Sequence, residues 1–157
     1  MAQRLIDVPI ESLPFVDALS VDVGAGPDAV WDALIAVTGE FTSRPGGSRA
    51  ARALGCAHTE RTGEPGEIGS TIPGFVIARA VRPAVLALMG EHRFSRYALV
   101  LTVTESSAGV VRLGAETRAE FPGAAGTAYR ALVIGTRGHV LVTRSFLRSV
   151  RRRAERA

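Results

Sequence analysis

The sequence predicts a single domain of the α+β class, in which one antiparallel sheet packs against a long C-terminal helix. Three observations predict it. Residues 57–121 alternate apolar and polar side chains between short turns, which is typical of antiparallel strands. Residues 14–54 contain one strand and two helices, and residues 124–153 form one amphipathic pattern. With 157 residues, no repeat and no linker, we expect one domain over residues 1–157.

The first strand is predicted over residues 14–23, where Asp17 is the one exception to the alternation. The next residues, GAGPDA, match the glycine pattern of dinucleotide-binding turns. Such turns need alternating strands and helices in a parallel sheet, whereas a Gly- and Arg-rich stretch and then hairpins follow here. We therefore interpret Pro27 and Asp28 as the first turn of a helix that extends to Val37. A second short helix is predicted over residues 48–54.

The sheet is predicted from period-two patterns bounded by turn residues. We expect strands over residues 57–63 and 67–81, separated by Glu64-Pro65-Gly66, and a further strand over residues 84–89. The clearest pair is formed by residues 96–106 and 109–121. In the second of these, apolar side chains alternate with charged ones, so one face is predicted to be buried and the other to be solvated.

The last predicted element is a single helix over residues 124–153. The arginines along its edge repeat every seven residues: Arg130, Arg137, Arg144 and Arg151. Gly135 and Gly138 each cost about 1 kcal/mol relative to alanine inside a helix. These glycines have two interpretations. Either they allow close packing or a bend, or they allow the helix to flex when a ligand enters beneath it.

The basic residues are all arginine: the chain has 19 of them and no lysine. This excludes Schiff-base catalysis by lysine and a phosphate-binding loop lysine, and it is typical of a GC-rich genome such as that of an actinobacterium. The positive charge is confined to the C-terminal segment. Residues 130–157 contain eight arginines and one acid, for a charge of +7, whereas residues 1–129 carry −3, which together give the net +4.

The basic C-terminus, FLRSVRRRAERA, has two interpretations. Arginines at the end of a helix complement the helix dipole and keep the helix soluble, which is the simpler one. A weak contact with a membrane surface is the alternative. No aromatic residues are interleaved for base stacking, so no nucleic-acid partner is expected.

Two stretches carry a resemblance to a known superfamily. VDVGAGPDAVWDAL leads a strand into a helix bearing Val30 and Trp31, and FPGAAGTAYRALVIGTRGH opens the closing helix. With the element order from Phe15 onward, they resemble the START-like, SRPBCC or polyketide cyclase/dehydrase-like superfamily. The resemblance implies a helix-grip fold: a curved antiparallel β-sheet wrapped around a long C-terminal helix, with two short helices after the first strand. It also implies a cavity for an apolar ligand between sheet and helix, in binding proteins and enzymes alike.

The predicted site lies between the sheet and the C-terminal helix. Its expected lining residues are Tyr97, Leu99, Leu101, Leu113, Thr117, Tyr129, Val133, Thr136 and Val140. This mostly apolar set with a few hydroxyls is typical of a small-molecule pocket, and close packing into a solid core is the alternative. We expect the protein to bind a hydrophobic or amphipathic small molecule, such as a lipid or a polycyclic or aromatic metabolite.

An enzyme of the aromatase/cyclase or dehydratase type is the alternative function, and an interaction module that uses the basic helix edge is a third. His92 and His139 are the candidate acids or bases, with Tyr129 as a further proton donor. Each histidine is equally interpretable as a surface or hydrogen-bonded boundary residue. Cys56 and His58 lack the further ligands that zinc needs. We therefore expect no metal and no cofactor.

The compartment is predicted from what the sequence contains. No apolar run approaches the roughly 18 residues of a membrane span. The N-terminal residues MAQRLIDVPIE carry charges where a secretory signal has an apolar core. The single cysteine, Cys56, has no partner for an internal disulfide. A cytoplasmic protein is expected.

Overall fold

The computed structural model describes residues 2–42 and 46–157. Within these residues the helices are α1 (Ala2–Ile6), α2 (Pro27–Thr42), α3 (Gly47–Leu54), α4 (Gly123–Val133) and α5 (Gly138–Ala154). The strands are β1 (Phe15–Val23), β2 (Thr71–Ile72), β3 (Phe75–Val81), β4 (Val85–His92), β5 (Ser95–Glu105) and β6 (Val111–Glu120). A 3-10 turn at Ile10–Ser12 connects α1 to β1.

The six strands form one antiparallel sheet in the order β1-β6-β5-β4-β3-β2. Strands β3 to β6 are successive hairpins, and β1 closes the sheet beside β6. The sheet is open and curved, with the C-terminal helices packed on its inner face and α2 and α3 following the first strand. The predicted helix-grip fold is therefore confirmed.

The pairing of β5 with β6 follows the predicted alternation. Leu101 lies opposite Ala115 and Val103 lies opposite Leu113, and all four side chains are buried. Together with Val30 and other apolar residues of α2 and the C-terminal half of α5, they form the main core. This close-packed cluster fills one end of the space between sheet and helices, which leaves the opposite end for the site.

The other face of the sheet is also covered. Leu5, Ile10 and Leu13 of the N-terminal segment pack on Val76 and Met89 of β3 and β4. Strand β4 is buried on both faces over most of its length, which explains why its sequence begins with a continuous apolar run, VLALMG, rather than an alternating one. This N-terminal layer was not predicted.

The prediction of one continuous C-terminal helix was wrong. The chain leaves helical geometry between α4 and α5, where Arg137 adopts a left-handed φ of 56°. A Cβ at Gly135 would lie 2.2 Å from the carbonyl oxygen of Ala131, so this position requires glycine. The glycines that are unfavourable inside a helix therefore mark its interruption.

Further boundaries differ from the prediction, and the strand predicted over residues 67–81 is divided into β2 and β3. Residues 57–63 are not a strand, since only Thr62 forms an isolated bridge, to Thr71. That segment is polar on both parities, so no apolar face holds it to a sheet. Helix α2 continues to Thr42, beyond the predicted end at Val37, because Val37 and Thr38 are themselves buried.

Candidate functional site

A cavity of about 440 Å³ lies between the sheet and the C-terminal helices. Strands β3 to β6 form one wall, α4 and α5 form the other, and Thr38 of α2 and Leu54 of α3 contribute at the side. Its volume falls within the range of small-molecule sites, roughly 300–1,000 Å³. Among the residues that the structure describes, none of those lining it is an acid or an arginine.

The structure brings several of the predicted site residues to this cavity. The lining includes Tyr97, Leu99, Thr117, Tyr129 and Val133. It also includes the two candidate histidines, His92 and His139. Sheet and helix positions that are distant in sequence therefore meet at one place.

Four predicted lining residues lie elsewhere. Leu101 and Leu113 are fully buried in the main core, at the end of the sheet that α2 and α5 fill. Thr136 is exposed in the interruption between α4 and α5, where its hydroxyl donates to the Leu132 carbonyl at 2.5 Å. Val140 is half-buried on α5 but does not line the cavity. Thr136 and Val140 were assigned to a continuous helical stripe, which the interruption breaks.

Aromatic side chains cluster at one end of the cavity, where the predicted residues Tyr97, Tyr129 and His92 are joined by Phe75 and Phe94, which the site prediction did not include. The Tyr129 ring packs edge-on to His92, with centroids 4.8 Å apart, and stacks on Phe94 at 5.4 Å. His92 also contacts Tyr97 at 5.4 Å, and Tyr97 contacts Phe75 edge-on at 5.2 Å. Phe75 is the first residue of β3 and Phe94 lies in the β4–β5 turn, two places where sequence periodicity does not indicate which way a side chain faces. We call this group the aromatic end of the cavity.

His92 is held as a neutral imidazole. Its Nδ1 accepts a hydrogen bond from the backbone N–H of Phe94 at 3.1 Å, so its ring proton is on Nε2. Burial lowers the pKa of His92 from its usual value, which also favours the neutral ring. The Nε2–H forms no hydrogen bond with the part of the chain that the structure describes. It is therefore a donor that a ligand can use.

The two tyrosine hydroxyls differ in their partners. The Tyr97 hydroxyl donates to the carbonyl of Gly74 at 2.7 Å, and burial raises its pKa far above the usual value. Tyr129 also has a raised pKa because of burial, yet within the described residues its hydroxyl has no hydrogen-bond partner. Tyr97 therefore fixes the β2–β3 turn, whereas the Tyr129 hydroxyl can contact a ligand.

His139 forms a partly buried pair with Asp17, a residue that the prediction of the site missed. Its Nε2 lies 2.5 Å from Oδ2 of Asp17, and its Nδ1 lies 3.3 Å from the carbonyl oxygen of Val133. The Asp17 carboxylate and the Val133 carbonyl are both acceptors, so each ring nitrogen of His139 lies beside an acceptor. The sequence signal was present, since Asp17 is an acid on the apolar parity of β1, at a shift in its register with β6.

This geometry limits the acid–base chemistry that the cavity can support. Both nitrogens of His139 are engaged, and Nδ1 of His92 is engaged as well. Thr117 and Thr143 also contribute hydroxyls to the lining. At the aromatic end, the groups left to act on a bound molecule are the Nε2–H of His92 and the hydroxyl of Tyr129. Both are suited to orienting an oxygen atom of a ligand by hydrogen bonding.

Other depressions on the molecule have different chemistry. The one beside α2, of about 580 Å³, is lined by five charged residues, among them Asp32 and Arg82, which form an ion pair at 2.6 Å. Across residues 2–42 and 46–157, no group of three or more His, Cys, Asp or Glu side chains is arranged to hold a metal ion. In the same residues, no helix has both the length and the apolar character needed to cross a bilayer.

Comparison with solved structures reveals similar folds. The Bacillus halodurans protein BH1534 superimposes with a TM-score of 0.53 at 15% identity, over 88% of this chain and 97% of that one. CalU16 from Micromonospora echinospora gives 0.52 at 15% identity, over 88% and 83%. Ara h 8.0201 gives 0.51 at 7% identity, over 90% and 97%.

Sequence comparison adds no nearer relative. No protein-family profile matches the chain, and no curated protein matches it significantly. The structural likenesses, all far below 25% identity, show that this chain has the helix-grip fold of those proteins.

Proposed function

We propose that the protein belongs to the START-like superfamily and binds a hydrophobic or amphipathic small molecule in its cavity. The observation that carries the proposal is the apolar gap of about 440 Å³ in a molecule whose core is otherwise well filled. Protein interiors are normally close-packed, so a gap of this size needs an explanation. An apolar ligand provides one.

The lining indicates how such a ligand is held. Its apolar part would contact Leu99, Val133 and Phe146, with a driving force of about 25 cal/mol per Å² of buried apolar area, less the cost of ordering the ligand. One oxygen atom of the ligand would lie at the aromatic end, where His92 Nε2–H donates and the Tyr129 hydroxyl donates or accepts. This arrangement favours a lipid or aromatic metabolite with a single polar end.

An aromatase/cyclase- or dehydratase-like enzyme is the alternative that the same cavity allows. It would use His92 and Tyr129, whose rings are 4.8 Å apart, as the proton donors. Binding is the preferred function because no acceptor nitrogen in the lining is left unengaged to serve as a general base. We propose that the protein needs no cofactor. We also propose that it resides in the cytoplasm, where reducing conditions keep the thiol of Cys56 free.

The first test is native mass spectrometry of the protein purified from its own host, followed by denaturing extraction of its ligand. We expect a stoichiometric lipid or aromatic metabolite. A protein that is empty, and that also fails to bind a panel of fatty acids and polycyclic aromatics, would overturn the proposal.

A pair of variants tests whether the cavity is the site. Thr143→Phe places a ring in the cavity from α5, whereas Thr127→Phe adds the same ring at an exposed position of α4. The first variant should lose the ligand and the second should retain it, with both folded by circular dichroism. Equal retention by the two variants would place the ligand elsewhere.

A further inference from the structure

The segment that joins α4 to α5 exposes an unusual amount of apolar surface. We call residues 130–144 the joint. Leu132, Leu141 and Val142 are 64%, 66% and 53% exposed, on both sides of the interruption. Local hydrogen bonds border the interruption, with the Thr136 hydroxyl donating to the Leu132 carbonyl and the Leu141 N–H donating to the Arg137 carbonyl. Exposed apolar side chains grouped in this way mark an interaction surface.

The same segment is positively charged and has no counter-charges. The joint contains Arg130, Arg137 and Arg144 and no acidic residue. All three are exposed, and none forms an ion pair within the residues that the structure describes. By contrast, two arginines of the C-terminal tail are paired, Arg151 with Glu155 at 2.9 Å and Arg153 with Glu40 at 2.5 Å. Within the described residues, Arg148, Arg152 and Arg156 of the tail form no ion pair either, so the joint differs from the tail in combining unpaired arginines with exposed apolar side chains.

The joint is also the outer wall of the cavity. Val133, Ile134 and Val142 line the cavity from the joint, and Val142 is at the same time more than half exposed. A partner that covers the joint therefore contacts Val142, a side chain that also lines the cavity. No other group of exposed apolar side chains in the described chain has this position.

We propose that the joint docks on an anionic lipid bilayer, and that the ligand passes there between the bilayer and the cavity. Guanidinium groups bind lipid phosphates, and exposed leucines insert among the acyl chains. A second copy of the chain fits poorly, since a symmetric contact would place the same three arginines against each other. The passage of ligand rests on the proposed function, whereas docking itself does not.

Vesicle co-sedimentation tests the docking. Vesicles of phosphatidylcholine with phosphatidylserine should bind the protein, and vesicles of phosphatidylcholine alone should bind it far less. Each arginine near an anionic surface contributes about fivefold to binding. The triple variant Arg130→Gln/Arg137→Asn/Arg144→Gln should therefore lose binding on the order of 100-fold; asparagine is used because it tolerates a left-handed φ.

The matched control removes the same charge from the tail, as Arg148→Gln/Arg152→Gln/Arg156→Gln, and should keep most of the binding. A second variant, Leu132→Ser/Leu141→Ser, removes exposed side chains only, so it should fold normally and lose about tenfold or more in binding. Equal losses in the joint and tail variants would overturn the proposal, because net charge alone would then explain the binding.

Two further outcomes separate this inference from the proposed function. If the wild-type protein binds its ligand in solution but binds no anionic vesicles, docking is wrong and the cavity remains a binding site. If it binds vesicles through the joint but carries no ligand, the docking stands and the proposed function fails.

If Leu141→Ser converts a dimer to a monomer in sedimentation and vesicles do not bind, the joint is covered by a second copy instead.

Discussion

The Nε2 atom of His139 lies 2.5 Å from Oδ2 of Asp17, a contact between residues 122 positions apart in the chain. Both side chains are largely buried, with 15% and 25% of their surfaces exposed. The contact fixes the first turn of α5 to β1, and the second ring nitrogen of His139 contacts Val133 of α4. One imidazole therefore holds the two C-terminal helices and the edge strand together at the cavity.

Removing the carboxylate in Asp17→Ala should destabilise the protein by about 1.5–3 kcal/mol, because a charged hydrogen bond is lost and His139 is left without its partner. Chemical unfolding measures the loss. The control is Asp22→Ala, which removes the exposed ion pair between Asp22 and Arg112 and should cost clearly less. Equal losses for the two variants would show that the His139 contact does not stabilise the fold.

Gly90 is required by the close approach of its neighbours. A Cβ there would lie 2.1 Å from the Gly74 carbonyl oxygen and 2.6 Å from the Tyr97 ring. Gly90→Ala should therefore destabilise the protein by about 1–3 kcal/mol or more, because backbone as well as side chain must shift. Gly26→Ala is the control, since no atom lies within 4 Å of its Cβ position, and thermal unfolding should be nearly unchanged. A Gly90→Ala variant as stable as wild type would contradict the close approach.

The two tyrosines should respond in opposite ways to loss of the hydroxyl. Tyr97→Phe leaves the Gly74 carbonyl without its donor, and should lower the free energy of unfolding by about 0.5–1.5 kcal/mol. Tyr129→Phe breaks no hydrogen bond within the described residues, so its stability should be close to that of wild type while its ligand affinity falls. Unfolding and binding measured on both variants check the assignment, and reversed results would refute it.

Stability should decrease on acidification because of His92. Burial lowers the pKa of His92 below its usual 6.5, so around and below that pH the unfolded chain binds more protons than the folded one. The free energy of unfolding therefore falls as the pH decreases through this range. In His92→Asn, whose side-chain oxygen can still accept from Phe94, the decrease between about pH 8 and pH 5 should be smaller.

His58 has the same sign and serves as the comparison. Burial lowers its pKa, and its Nε2 is buried without a hydrogen-bond partner in the described chain. His58→Gln should remove a separate part of the acid sensitivity, additive with that of His92→Asn. If His92→Asn retains the full pH dependence of the wild type, the burial of the His92 ring is not what makes the protein sensitive to acid.

The hairpin strands were the most predictable part of the fold. In β6, apolar residues such as Leu113 and Ala115 alternate with charged ones, and a register shift would expose the apolar set, so sequence and pairing agree. Residues 57–63 were predicted as a strand although they are polar on both parities, and without an apolar face the sequence pattern fails to distinguish a strand from a loop. Whether a segment joins a sheet depends on the apolar area it can bury.

The candidate site was harder to predict because it depends on where a helix stops. The sequence identifies Gly135 and Gly138 as unfavourable inside a helix, which is consistent with a bend. It does not reveal the left-handed conformation of Arg137, which ends the helix and leaves Thr136 exposed. Asp17 and His139 are 122 positions apart in the sequence, so the local sequence pattern around each residue does not reveal their contact. An acid on the apolar parity of a strand is the signal that such a partner exists.

The N-terminal segment that covers the back of the sheet has a consequence for ligand size. Strands β3 and β4 lie between two apolar layers, with Leu5 and Leu13 on one side and the cavity and main core on the other. Moving them would open gaps in a close-packed layer. The sheet is therefore expected to be the rigid wall of the cavity. If the cavity binds a ligand as proposed, selectivity for bulkier ligands depends on the opposite wall, which α4 and α5 form on either side of their interruption.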